Sequence, residues 1–488
     1  MTDKYAYDMW EAVIGLEVHV QLNTKSKLFS SAPNRFGDEP NTNITDVCTG
    51  LPGTLPVLNK EAVKKAVLFG LAINGKISNY STFDRKSYFY PDSPRNFQIT
   101  QLENPIVMGG TLIADVGGKT MEFDVNRAHI EDDAGMLKHF STFAGVDYNR
   151  AGVPLVEVVS EPCIHTAKEA VAYASSLRSI MQYINASKCN MEEGHLRIDA
   201  NISVRPKGET GLRNKIEIKN MNSFTFLELA IDSEIKRQIR LYSDHPHKDI
   251  NEVIESGTYR WDVDKKQTVI MRKKEQVHDY RYFPEPDLPA IILGKDYIDN
   301  LEKKLPELPH AKFNRFVNDL KLSEYNASIL VNEKKLAAFF EEGLKHTKNT
   351  SSLCNWITVE FQGRLKQINK DITSFGIEPK NIAALVNMIE NKKITGKIAK
   401  LVADDMIKNP AFLCEDIIKS NPNYQPLSDL SVIEPIVDEV IKNNPDSIEA
   451  YKNGKIKAFA FLVGQVMKLT KGKSSPEIVN KLLHKKLD

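Results

Sequence analysis

Four stretches of this chain place polar, mostly charged side chains at every second position with aliphatics between them. Such an alternation fits a β-strand with one face in a core and leaves little room for a helix. In Ile14-Gly15-Leu16-Glu17-Val18-His19-Val20-Gln21-Leu22 the aliphatics are even-numbered and the polar groups odd-numbered. The same pattern runs through Leu196-Arg197-Ile198-Asp199-Ala200-Asn201-Ile202-Ser203-Val204-Arg205, with shorter versions at Arg127-Ala128-His129-Ile130-Glu131 and Lys215-Ile216-Glu217-Ile218-Lys219. An ordinary solvated strand face is rich in Thr, Ser and Lys. These faces carry Glu, His, Asp, Asn and Arg, the side chains that bind metal and phosphate, and they read as the floor of an active site.

With 488 residues the chain has room for two to four domains and more than one core. Its first ten residues lack the basic-then-apolar order of a signal peptide, and no apolar run reaches about 18 residues, so a cytosolic protein with no membrane attachment is expected. The five cysteines (Cys48, Cys163, Cys189, Cys354, Cys414) form no close pair, which indicates neither disulfides nor a structural zinc. A net charge of +1 argues against indiscriminate polyanion binding while permitting a local basic patch.

Up to about residue 293 the chain mixes short strand patterns, turn clusters such as Tyr90-Pro91-Asp92-Ser93-Pro94 and Val116-Gly117-Gly118-Lys119, and three helices. The helices are expected over Lys60 to Ile73, from a Thr166/Glu169 capping box through Ala170 to Ile184, and over Phe224 to Tyr242. Few βαβ alternations occur, which predicts an α+β domain with a mostly antiparallel sheet and inserted helices. After Phe283-Pro284-Glu285-Pro286-Asp287-Leu288-Pro289 the chain reads as all-α, with amphipathic runs at Ser323 to Lys345, Asn381 to Lys392 and Thr395 to Lys408. A second break at Ser420-Asn421-Pro422-Asn423-Tyr424-Gln425-Pro426 precedes a small terminal unit. The domains are therefore drawn at 1–293, 294–410 and 411–488.

Glu17, His19 and Gln21 share one strand face at a spacing of about 6.6 Å, close enough to converge on one ion from the same side. Oxygen ligands with one imidazole suit Mg²⁺ or Mn²⁺, and a polar strand facing solvent is the plain alternative. His129-Ile130-Glu131-Asp132-Asp133 offers a second strand of the same character. Glu157 lies inside the aliphatic run Val153-Pro154-Leu155-Val156-Glu157-Val158-Val159, where an unpaired charge costs several kcal/mol, so it should meet a cation, either Arg150 or a metal. Asp199 and Glu217 extend the acidic set, while Arg150, Arg197, Lys215 and Lys219 interleave positive charge. Acids that hold a divalent ion beside bases that hold phosphate oxygens are what phosphoryl transfer requires.

Familiar nucleotide and nucleophile motifs are absent. Gly118-Lys119-Thr120 ends like a phosphate-binding loop, but Ile113 stands where the first glycine belongs, which makes it a hairpin turn. Gly472-Lys473-Ser474 fails in the same way at Met467. No Gly-x-Ser-x-Gly elbow or Cys-His nucleophile motif occurs. In the terminal unit Lys452, Lys455, Lys457, Lys468, Lys471, Lys473, Lys481, Lys485 and Lys486 face the single acid Glu477, which suits either RNA backbone contact or a solvated lysine face. The helix Ile456 to Leu469 is apolar nearly all round and is expected to be buried or docked.

These motifs resemble the B subunit of the glutamyl/aspartyl-tRNA amidotransferase, the GatB family. The likeness is carried by Asp147-Tyr148-Asn149-Arg150-Ala151-Gly152-Val153-Pro154-Leu155-Val156-Glu157-Val158, by Ile14 to His19, by Leu196 to Asn201, by Lys219-Asn220-Met221-Asn222-Ser223 and by Asp279 to Asp287, with Phe461 to Lys468 similar to the family's tail. The resemblance implies a kinase-like cradle (1–293) that takes ATP, Mg²⁺ and the aminoacyl end, a helical domain, and a YqeY-like tail that contacts tRNA. It also implies a heterotrimer with an amidase (A) subunit and a small C subunit. Such a complex is a carbon–nitrogen ligase: ATP phosphorylates the side-chain carboxylate of Glu or Asp on a mischarged tRNA, and ammonia from the amidase then displaces phosphate. On matching positions Glu17, His19, Glu131 and Asp132 become metal ligands, and Glu17, His19, Glu131, Glu157 and Asp199 the catalytic set. From the charge pattern of the chain itself, Arg150, Lys215, Glu217 and Lys219 are expected to bind ATP, and Lys455, Lys457, Lys468, Lys471 and Lys473 to contact tRNA. The chain lacks a visible glutaminase nucleophile, in keeping with ammonia made elsewhere. It departs from members with a Cys-x-x-Cys before the Leu-Pro-Gly turn, since Thr45-Asp46-Val47-Cys48 keeps only the second cysteine. On the residues alone, a metal-dependent phosphohydrolase or nuclease and a non-enzymatic RNA-binding scaffold remain open.

Overall fold

Trp10–Gln21 (β1) forms the middle of a ten-stranded sheet, and its alternation of side chains organises everything around it. A computed structural model describes residues 5–273, 279–424, 430–470, 473–474 and 476–487. On one side β1 pairs antiparallel with Pro154–Ser160 (β3), which pairs with Lys119–Asp132 (β2). On the other it pairs with Leu196–Pro206 (β4), which pairs with Ile216–Met221 (β5). The spatial order β5-β4-β1-β3-β2 is extended by Gly257–Asp262 and Gln267–Lys273 beyond β5, and by Thr111–Val116, Val107–Met108 and Lys76–Ile77 beyond β2. Every pairing is antiparallel except that of β5 with Gly257–Asp262, so the expected α+β class holds.

The aliphatic positions face the back of the sheet. Ile14, Leu16, Val18 and Val20, Ile198, Ala200 and Ile202, Val156 and Val158, and Ala128 and Ile130 are all fully buried there. Burying each of the larger side chains stabilises the fold by about 1.5–3 kcal/mol. Three helices belong to the same core: Lys60–Ala72 (α1), Ala167–Tyr183 (α2) and Phe224–Asp244 (α3). The α2 start follows the expected capping logic with one shift. Thr166 Oγ1 accepts from the Glu169 amide at 3.1 Å, and the Glu169 carboxylate reaches back to the His165 amide (2.8 Å) in place of Thr166's own. The Gly117-Gly118 turn joins Thr111–Val116 to β2 with φ of 61° and 83°, the double left-handed geometry of a two-residue hairpin.

The chain divides into two compact units, Met1–Lys312 and Phe313–Asp488. The second is helical throughout its described secondary structure. The amphipathic run Ser323 to Lys345 is two helices, Glu324–Val331 and Lys334–Leu344, parted at Glu333, whose backbone is extended. Leu330, Val331, Leu336 and Phe340 are nevertheless all buried, so the hydrophobic period continues through a break it does not register. In the terminal bundle the helix Ile456–Leu469 buries Leu462 and Val466 against Ile433, Val437, Val479 and Leu483. It is docked on that side and not buried all round: Ile456, Phe461 and Leu469 stay exposed. Among the described residues no helix is long and apolar enough to cross a membrane. Gln425 and Pro426 of the second break, and Lys471 and Gly472 of the tail, lie outside the described residues.

Candidate active site

Antiparallel register decides which polar side chains meet on the front of the sheet. His19 stands opposite Glu157 on β3 and opposite Arg197 on β4. Glu157 in turn stands opposite His129, and Leu155 opposite Glu131, on β2. Two imidazoles and two carboxylates therefore converge. His19 Nε2 lies 3.3 Å from Glu157 Oε2 and 3.6 Å from Glu131 Oε1. His129 Nε2 lies 3.4 Å from Glu157 and 3.7 Å from Glu131. Thr100 Oγ1 donates to Glu131 Oε2 at 3.1 Å and restrains the oxygen that faces His129.

The electrostatics follow from burial and pairing. Burial opposes charge on Glu157, yet His129 and His19 hold its carboxyl well below the usual range. Burial likewise opposes a charged His129, but Glu157 and Glu131 overcome it and push the imidazole up to about 9. His19 is raised for the same reason, against burial and Arg197. Glu17 behaves differently: burial, then Glu157 and Glu217, push its carboxyl up, with the Asn201 hydrogen bond (Nδ2 to Oε1, 2.9 Å) only partly offsetting them.

His19, Glu131 and Glu157 each offer a ligand atom, and these atoms lie within 4.8 Å of one another. One imidazole nitrogen with two carboxylate oxygens fits a hard divalent ion that keeps several waters, Mg²⁺ or Mn²⁺. Glu17 is on the same face but one pleat away, outside this group, with Asn201 as its partner. Asp132 does not converge with the others. Strand alternation turns it from Glu131's face, Arg95 takes one of its oxygens, and the Ile99 amide donates to the other at 3.0 Å. Glu157, in place of Asp132, falls in the group with His19 and Glu131, and the cations nearest it are imidazoles, not Arg150.

The cluster opens into a cavity of about 710 Å³ lined on its far walls by Lys86, Arg95, Arg197, Asp199, Lys219 and Tyr280. Lys219 bridges Asp199 (3.0 Å) and Glu217 (2.8 Å), which raises its ammonium pKa against burial. A one-residue register shift where β5 meets Ile198–Ala200 aims it there. Thr258 Oγ1 donates to Glu217 at 3.1 Å. Lys86 lies with its ammonium 4.9 Å from the Tyr280 ring centroid, and Glu131 leads the charges that raise its pKa against burial. Arg150 spends its guanidinium on the carbonyls of Ala134 (2.9 Å) and Gly135 (2.5 Å), and Lys215 is exposed at the start of β5; neither lines the cavity.

Lys86, Arg95 and Tyr280 were not singled out by sequence reasoning. They sit in a short strand, a turn and an irregular segment, where no periodicity marks them. Cys48 is buried with Sγ 3.1 Å from Ser30 Oγ, and among the described residues it joins no group of metal-type ligands. In the second unit Lys455, Lys457 and Lys468 are exposed, while Lys473 donates to Asn423 Oδ1 at 2.9 Å.

Residues 12–299 match the model of the GatB/GatE catalytic domain, and residues 338–487 that of the GatB domain. The class is thus a GatB/GatE-type catalytic α+β domain followed by a helical GatB module. A full-length relative from Protochlamydia amoebophila, named as the B subunit of an aspartyl/glutamyl-tRNA(Asn/Gln) amidotransferase, is 62% identical over 490 residues, covering 100% of this chain and 99% of its own. Namesakes from Chlamydia pneumoniae (59% over 482 residues) and Chlamydia abortus (58% over 483 residues) each cover 99% of both chains. The chain belongs to the GatB family, the B subunits of these amidotransferases.

Proposed function

We propose that this protein is the ATP-consuming, tRNA-binding subunit of a glutamine-dependent amidotransferase, acting with an amidase subunit and a small C subunit on Glu or Asp attached to a mischarged tRNA. Residues 1–293 carry the chemistry on this reading, 294–410 form a helical connector, and 411–488 contact tRNA through Lys455, Lys457, Lys468, Lys471 and Lys473. The supporting observation is one cavity in which an acid–imidazole cluster faces a rim of cations. A triphosphate and a carboxylate repel each other, and a pocket that joins them must supply positive charge on several sides.

In the reaction a carboxylate oxygen of the aminoacyl group attacks the γ-phosphorus and the bond to ADP breaks. Ammonia then attacks the resulting acyl phosphate, phosphate leaves, and one proton is released with the amide. His19, Glu131 and Glu157 would hold Mg²⁺, which when bound neutralises phosphate charge. Lys219, anchored by Asp199 and Glu217, presents a fixed ammonium to phosphate oxygens. Lys86, beside Glu131 in the same cavity lining, offers a second. Tyr280, with Phe97 and Gln98 of the small sheet, lines the cavity beside Lys86. Glu17, on the same sheet face with its carboxyl raised by burial but outside the cavity lining, is the acid whose part in proton transfer the Glu17→Gln variant tests.

The test is transamidation from free ammonia with the complete complex. Glu17→Gln should abolish amide formation while tRNA binding stays within about threefold of wild type. Normal turnover in that variant removes Glu17 from the mechanism, and phosphate release from ATP without charged tRNA points to a phosphohydrolase instead.

A further inference from the structure

We propose that Arg197 binds phosphoryl oxygens of the substrate in this cavity and that Asp133 is the positioning residue that aims it. The proposal rests on the phosphoryl-transfer reading above.

Asp133 follows β2 directly and is buried. Its backbone is fixed to the segment entering β3, with Asp133 N donating to Val153 O (2.9 Å) and Gly152 N to Asp133 O (2.8 Å). Its carboxylate gathers three elements. Gln21 Nε2 from β1 donates at 2.9 Å, Arg197 Nη2 from β4 at 2.8 Å, and Arg150 Nε lies 3.7 Å away. The Ala134 amide takes the other oxygen at 2.9 Å. No freedom remains for this carboxylate to move toward a ligand.

Two arginines thus answer one carboxylate, with Glu131 and Asp199 the further acids acting on Arg197. The two are not equivalent. Arg150 is committed to the Ala134 and Gly135 carbonyls and does not line the cavity. Arg197 does line it, keeps 35% of its side chain exposed, and stands directly across the strands from His19. Asp133 engages one of the five donors a guanidinium carries. Arg197 Nε is sealed from solvent and has no acceptor among the described residues. A buried donor left unmet costs about 1–3 kcal/mol, and a small shift of the side chain onto an incoming oxyanion would meet it. A planar fork held at one corner, with part of its guanidinium exposed to the cavity, suits bidentate contact with a phosphoryl group.

The experiment uses the complete complex with free ammonia and follows ATP-dependent amide formation for R197A, R197K and D133N. Arg197→Ala should lower kcat/KM for ATP by about a hundredfold, with Arg197→Lys recovering part of that loss. Added guanidinium ion should restore R197A at least severalfold and leave wild type unchanged. Asp133→Asn should raise the KM for ATP by about tenfold while Mg²⁺ still stabilises the chain against heat. The proposal is overturned if R197A matches wild type within threefold, or if R197A and R197K fall equally and guanidinium restores neither. Should R197A fail to fold, R197K and D133N decide: an unchanged KM for ATP in both sinks the idea. A wild-type complex that consumes no ATP fails the underlying reading, whereas an active wild type indistinguishable from R197A fails this proposal alone.

Discussion

On the proposed reading Glu157 has two duties at this site, pairing buried imidazoles and holding the metal. It is a carboxylate set in an aliphatic strand, and it persists there because His19 and His129 stand on either side of it. Replacing Glu157 by Gln leaves two buried imidazoles with one counter-charge fewer, which should cost the metal-free chain about 3 kcal/mol and abolish the stabilisation Mg²⁺ gives. Thermal unfolding with and without Mg²⁺ measures both; an unaltered Mg²⁺ effect would remove Glu157 from the ligand group. The pH dependence has a definite sign. His129 rises to about 9 on folding from an ordinary value of 6.5, so its contribution is complete below about 6.5 and is lost as pH climbs through 9. At 1.36 kcal/mol per unit that is about 3 kcal/mol. Glu157 and Glu131 are depressed, so their contribution is present above the usual carboxylate range and lost as pH falls. The metal-free chain should therefore lose thermal stability between pH 6.5 and 9, and His129→Gln should flatten that slope. A wild-type profile level over this window contradicts the assignment.

At the scale of elements, local geometry supports the site from turns as well as strands. Gly50 ends a short helical turn with φ of 69°, and a Cβ there would come within 2.7 Å of Arg95 Cγ and 3.2 Å of its Cα. Gly50→Ala should push Arg95 off Asp132 and reduce turnover severalfold, more than its stability cost of about 1 kcal/mol would explain; kinetics and unfolding of the same variant separate the two. The Gly117-Gly118 hairpin is the counter-example: it lies away from the cavity lining, and strain there should lower stability while leaving kcat intact. The Thr166/Glu169 box marked one helix start in the sequence, and the structure adds side-chain caps at Asn59, Ser223 and Thr395 where the apolar period of other helices begins. The break between Val331 and Lys334 was not legible, since both helices bury the same stripe.

For the molecule as a whole, the division of labour proposed above predicts separable kinetics. Reversing Lys455, Lys457 and Lys468 to Glu should raise the KM for tRNA by about tenfold and flatten its salt dependence, with kcat retained because no residue of the cavity is touched. A parallel fall in kcat would mean that the tail does more than hold the nucleic acid. Family membership follows from matches covering both units, and the helical second half accounts for a segment that composition alone marks only as amphipathic.

A strand's pleat repeats every two residues, so the chain announces its strands, and which face of each is polar, from neighbours alone. Glu17, His19, Glu131, Glu157 and Asp199 were visible for that reason. Which of them meet was settled by cross-strand register between segments far apart in sequence: it joined His19 to Glu157 and His129, left Glu17 one pleat away, and turned Asp132 toward Arg95. Lys86 and Arg95 reach the same cavity from a short strand and a turn whose placement depends on packing, not on any period along the chain. Local repetition encodes the faces; only long-range hydrogen bonding between strands chooses the partners.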